Sequence, residues 1–148
     1  MKFDFLALAE ASAEDSRGAI TLVAINQNLV IAPALPAAFR RTAIAYVTEE
    51  DGDTPLPPGT PVSIAFRIES PSGKVIVAGT GNGALGTKPY PELPGAVQLA
   101  VDVVGTATEY GGYTLTCEVS VAANVITASR QLYVFPPPHS LMASRENN

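Results

Sequence analysis

"YTLTCEVSV", residues 113 to 121, sets Tyr113, Leu115, Cys117, Val119 and Val121 on one side of a period-two pattern and Thr114, Thr116, Glu118 and Ser120 on the other. Successive side chains of a β-strand point to opposite faces, so this spelling buries one face and wets the other, which a helix of 3.6 residues per turn cannot do. The same pattern recurs upstream. In "VSIAFRIES", residues 62 to 70, Val62, Ile64, Phe66 and Ile68 alternate with Ser63, Ala65, Arg67 and Glu69. In "VQLAVDV", residues 97 to 103, Val97, Leu99, Val101 and Val103 form the inward row. Between them "PSGK", residues 71 to 74, reads as a tight turn into "VIVAG", and "GTATEYGG", residues 105 to 112, as a second turn.

Working outward, "KFDFLALAEA" from Lys2 alternates Phe3, Phe5 and Ala7 against Lys2, Asp4 and Leu6, as a first strand would. The polar "SAEDSRG" then leads to "AITLVAI", a hairpin in which Gly18 would supply a positive φ. "NQNLVIAPALP", residues 26 to 36, reads as irregular, with Pro33 and Pro36 barring a long helix. A strand is expected within "FRRTAIAYVT", residues 39 to 48, a loop over the acidic and proline-rich residues 49 to 61, and a last strand in "VITASRQLYVF" whose inward face is not evident. About eight strands and no amphipathic helix predict an all-β fold, a sandwich or barrel. At 148 residues one domain can bury roughly 70% of its unfolded surface, which needs no disulfide. The domain is expected over residues 1–135, followed by a mobile tail over 136–148 that opens on Pro136, Pro137 and Pro138.

"VIVAGTGNGALG", residues 75 to 86, contains Gly81, Gly83 and Gly86 in G-x-G-x-x-G spacing after a strand, with Asp102 about twenty residues on. A dinucleotide site needs a helix to open there and face the pyrophosphate. The segment that would be this helix, "ALGTKPYPELPG", carries Pro89, Pro91 and Pro94, so no cofactor is expected. Residues 80–95 read instead as a glycine-hinged, proline-stiffened loop, with Tyr90 between two prolines as an exposed aromatic suited to a partner.

Other chemistries are sparse. Glu49, Glu50, Asp51 and Asp53 could offer oxygens to a calcium ion, but they lack the spacing of the twelve-residue calcium loop and read as a solvated acidic run. The one histidine, His139, stands in the tail, and the one cysteine, Cys117, lies on an inward row where it acts as a small core hydrophobe. No nucleophile has a base beside it, so no catalytic residue is assigned and the chain is expected not to be an enzyme. A net charge of −5 with no basic cluster beyond Arg40-Arg41 disfavours nucleic acid. No apolar run approaches the ~20 residues of a membrane span. The opening residues lack a continuous secretory apolar region, because Asp4 leaves only Phe5 to Ala9, and a cytoplasmic location is expected.

"EYGGYTLTCEV" is similar to the segment near the end of many immunoglobulin-like domains, where a tyrosine precedes a strand of alternating apolar residues. Here Cys117 stands four residues after Tyr113 rather than two and has no partner cysteine, so Tyr113 reads as a core residue. Together "FDFLALAEAS", "RGAITLVAIN", "PSGKV" and "GGYTLTCEV" resemble a family of small bacterial proteins of unknown function. The resemblance implies an immunoglobulin-like antiparallel β-sandwich of about 7–9 strands and no motif of site residues. The expected role is protein–protein interaction or self-assembly, the alternative being a small-ligand or calcium-binding sandwich that uses the loops 49–61 and 80–95.

Overall fold

A computed structural model describes residues 1–16, 20–25, 28–50, 52, 54–88, 90 and 92–138, without the side chains of residues 14 and 20–25. Among these residues there are nine strands and no helix. They are β1 Lys2–Glu14, β2 Ile20–Ile25, β3 Leu29–Ile31, β4 Ala37–Thr48, β5 Pro61–Glu69, β6 Val75–Ala84, β7 Ala96–Ala107, β8 Gly111–Val121 and β9 Asn124–Phe135. One sheet has the order β2-β1-β4-β7 and the other β3-β9-β8-β5-β6. Every pairing is antiparallel except that of β3 with β9, which is parallel.

The inward rows predicted for β5 and β8 supply half of the core. Val62, Ile64, Ile68, Tyr113, Leu115, Cys117, Val119 and Val121 are buried, joined by Leu132 and Val134 of β9. The facing sheet contributes Leu6 and Leu8 from β1, Phe39, Ala43, Ala45 and Val47 from β4, and Val103 and Ala107 from β7. The two sheets thus close on each other as a β-sandwich, and the burial of apolar surface drives that closure; the four-stranded sheet also buries Ala7, Ala9, Thr42 and Ile44 on its opposite face. The Phe39 and Tyr113 rings meet edge-on across the layers, with centroids 6.5 Å apart.

Both cross-strand partners of these aromatic rows need room. Phe66 lies opposite Gly79 and Phe39 opposite Gly105. A Cβ at Gly79 would sit 2.6 Å from the Phe66 ring, and one at Gly105 would sit 2.7 Å from the Phe39 ring. The rings lie over bare backbone, so these two glycines are required by packing.

Several expectations need correction. The glycine-rich segment is strand as far as Ala84, because its backbone pairs with β5 from Pro61↔Ala84 to Phe66↔Gly79; the loop is therefore 85–95 rather than 80–95. Within residues 26–36, taken as irregular, Leu29–Ile31 form β3, held by the parallel ladder to Tyr133–Phe135. A bulge between Phe3 and Phe5 breaks the simple alternation of β1, so Phe3 packs on the core while Phe5 stacks on Tyr46 outside it. The expected turn residue Gly18 lies outside the described residues, although β1 and β2 do pair as a hairpin.

Tyr113 does more than fill the core. Its hydroxyl donates to the Glu109 carbonyl at 2.8 Å and accepts from the Glu109 N–H at 3.3 Å, pinning the β7–β8 corner to the first turn of β8. Glu109 in turn accepts from the Ser72 hydroxyl at 2.6 Å, which ties the corner to the 70–74 turn. Tyr113→Phe keeps the ring and deletes the corner bond, so urea unfolding should show a loss of about 1–2 kcal/mol with an unchanged m-value.

Candidate functional site

The inward row of β4, Ala43, Ala45 and Val47, continues by two to Glu49, just past the strand's end. The backbone is still extended there, and the Glu49 N–H donates to the Gly95 carbonyl at 2.9 Å. The carboxylate therefore turns inward and is only 6% exposed. One oxygen accepts from the Lys88 ammonium at 2.5 Å and from the Gly95 N–H at 2.6 Å, and the other accepts from the Leu56 N–H at 2.7 Å. Burial pushes the Glu49 carboxyl up, but the Lys88 hydrogen bond and charge and the two N–H donors outweigh it and bring the pKa to about 2.

The expectation of a solvated acidic run is therefore wrong at its first residue. Glu50 turns elsewhere, its carboxylate 3.4 Å from the Met1 ammonium, while Asp51 and Asp53 lie outside the described residues. Among the described residues no group of three His, Cys, Asp or Glu side chains could hold a metal ion. A cation at Glu49 would have to displace an ammonium and two backbone donors. What Glu49 does is fasten the 54–60 loop and the 85–95 loop to the end of β4, reinforced where Leu85 N–H donates to the Thr60 carbonyl and Gly59 N–H to the Leu85 carbonyl.

The remaining candidates are spread out. Gly81 and Gly83 belong to β6 and Gly86 follows it, with no helix opening behind them among the described residues. Tyr90 is 61% exposed on the 85–95 loop, while the flanking Pro89 and Pro91 lie outside the described residues. Cys117 is buried beside Leu6, Ala43 and Leu115, and burial pushes its thiol up, away from the reactive thiolate. His139 and the rest of the tail beyond Pro138 lie outside the described residues.

One surface was missed from the sequence. With Leu132 and Val134 fully buried, Tyr133 and Phe135 must point outward, and the parallel register places Leu29 beside Tyr133 and Ile31 beside Phe135. All four side chains are 38–46% exposed, and the two rings stack with centroids 6.2 Å apart and planes 13° from parallel. On β8 the residue opposite Tyr133 is Gly112, and the Gln131 side-chain oxygen and the Tyr133 ring both lie against that bare backbone position. The edge is held in place by Arg41, whose guanidinium donates to the Leu29 carbonyl at 2.8 Å, and by Tyr133 N–H, which donates to the Asn28 carbonyl at 2.6 Å. The signal was available in the L-Y-V-F alternation, but it pairs with a strand of three residues too short to announce itself.

Compared with known proteins, the chain matches no family model and no curated protein. No helix among the described residues is long and apolar enough to cross a membrane.

The Glu49 carboxyl has a folded pKa of about 2 against an ordinary 4.5, so it stabilises the fold above about pH 4.5 and that contribution disappears as the pH falls towards 2. The difference corresponds to about 3 kcal/mol. Urea midpoints measured from pH 7 to 2 should therefore fall steeply for the native chain. Glu49→Gln should start about 2–4 kcal/mol lower at pH 7, with Lys88 left partnerless, and run flatter; parallel profiles would exclude the ion pair.

Proposed function

We propose that this chain is a non-enzymatic binding module with an immunoglobulin-like sandwich, and that it acts by docking a partner protein on the outward face of β3 and β9. The immunoglobulin-like reading is supported by the sheet order β3-β9-β8-β5-β6, by the parallel pairing of the short β3 with the last strand, and by the Tyr113 bond at the corner before β8. The single observation that carries the binding reading is the patch formed by Leu29, Ile31, Tyr133 and Phe135. Singly exposed apolar residues are ordinary on a protein surface, but four large ones in contact, two of them aromatic and stacked, form the kind of surface that partners desolvate. Tyrosine and phenylalanine supply large contact area at low cost in side-chain entropy, which suits them to act as anchors.

A photo-reactive residue installed at position 133 should cross-link one protein in cells, and the same residue installed at Thr116 should not. With that partner purified, the double variant Tyr133→Ser/Phe135→Ser should weaken binding by about 10- to 100-fold. Its stability should change by less than about 1 kcal/mol. Equal cross-linking at both positions, or unchanged affinity, would refute the assignment.

A further inference from the structure

At the far side of the molecule from that patch, the two sheets end in β6 and β7, and each of these strands pairs with only one neighbour among the described residues. The two edges lie side by side. Val77 of β6 approaches to within 3.0 Å of the Cβ position at Gly105 of β7. Past Ile76 and Val77, which pack on the core, nothing from β6 closes the side of the sandwich, because its later inward positions are Gly79, Gly81 and Gly83, and a Cβ at Gly81 or Gly83 would meet no atom within 4 Å. Leu99 and Phe66 are consequently left half-buried over an apolar cavity of about 20 Å³ between the layers.

Edge strands normally carry charges, prolines or inward-pointing lysines that prevent pairing. The described β6, "VIVAGTGNGA", has none of these, and its one irregularity is a register shift at its first residues, Val75 to Val77, which leaves Ala78 to Ala84 regular. Described β7, "AVQLAVDVVGTA", has one charge, Asp102, and that is already paired with Arg40 of β4.

We infer that this side of the sandwich is the interface for a second copy of the same chain, in which β6 pairs with the partner's β7 and β7 with the partner's β6. Because one edge belongs to each sheet, a two-fold axis running along the strands between the molecules satisfies both pairings at once. Each five-stranded sheet is then continued by the partner's four-stranded sheet. Charge permits it: the only charged strand residue on this side, Asp102, is neutralised by Arg40, so two chains of net charge −5 meet there without an unpaired strand charge. Area permits it as well. The ten residues of β6 at about 3.4 Å per residue, across two sheets about 10 Å apart, give about 340 Å² between the sheet planes, and the side chains on the two outer faces about double that to ~700 Å² per partner, near the size of a standard stable interface. The bare inward row of β6 leaves space for the copy's half-exposed Val97 and Leu99 to enter, which would shield Phe66 from water.

The test is sedimentation velocity of the full-length chain from about 1 to about 100 µM, with amide hydrogen exchange measured at both ends of that range. The expected results are a dimer of the 15.4 kDa chain at the upper end and slowed exchange on concentration confined to residues 75–84 and 96–107. Gly81→Lys/Gly83→Lys places charge in open space and should raise the dimer dissociation constant at least about tenfold without loss of fold. A monomer at every concentration would overturn the inference. So would a dimer protected at β3 and β9, which would leave the apolar patch reading standing, and so would protection of β6 and β7 arising only when a different protein is bound.

Discussion

A carboxylate withdrawn from water has to be met by donors, and Glu49 is met on both oxygens by Lys88, Gly95 and Leu56. This chain has no disulfide, and no helix among its described residues, to fasten the connections that leave β4 and β6. Both long connections instead converge on one side chain. Because β4 runs twelve residues from Ala37 to Thr48, Glu49 stands at the opposite end of the sandwich from the Tyr113 corner, which packs on Phe39. The molecule therefore has an apolar middle and a polar clamp at each end, Tyr113 with Glu109 and Ser72 at one and Glu49 with Lys88 at the other. Removing one partner of a buried polar group of this kind costs several kcal/mol, so these clamps specify the loop arrangement as well as add stability.

With the loops fastened, what remains available for recognition is the sandwich itself. On β5 and β8 its outward positions are Ser63, Ala65, Arg67, Glu69, Thr114, Thr116, Glu118 and Ser120, five small or hydroxyl side chains and three charged ones, which gives a polar surface. Large exposed apolar groups gather instead at β3 and β9, and unguarded backbone gathers at β6 and β7. β3 and β6 are opposite margins of the five-stranded sheet, so a partner at the β3 margin would not obstruct a copy at the β6 margin. Under the proposed function and the inferred dimer, two independent margins would link a self-assembled unit to a second protein, and multivalent attachment of that kind raises avidity without any new contact.

How much of this could be read from the sequence depends on whether the deciding contact is local. The inward rows of β5, β7 and β8 were legible because alternation is written residue by residue. β6 was legible only in its first half, "VIVAG"; residues 80–84 were not, since an edge strand lined with glycines is spelled like a loop and only its pairing with β5 distinguishes them. β3 was not legible because three residues carry no period and their ladder partner lies about a hundred positions away. The β8–β9 turn is similarly unannounced: Ala122 adopts φ +52°, a left-handed conformation that Asn or Gly would normally signal. Glu49 was half legible. It continues the row of Ala43, Ala45 and Val47, yet three more acidic residues nearby invited a reading by composition, and its partners stand 39 and 46 residues away.

That buried carboxylate holds both long loops at one end of the sandwich, and its titration can be followed directly by carbon-detected NMR of the Glu49 side chain across pH 7 to 1.5. The latch requires a midpoint near 2, with the amide shifts of Leu56 and Gly95 moving at the same pH. A midpoint at the ordinary 4.5, with those amides unmoved, would mean that Glu49 is solvated and that the loops at this end are held by something else.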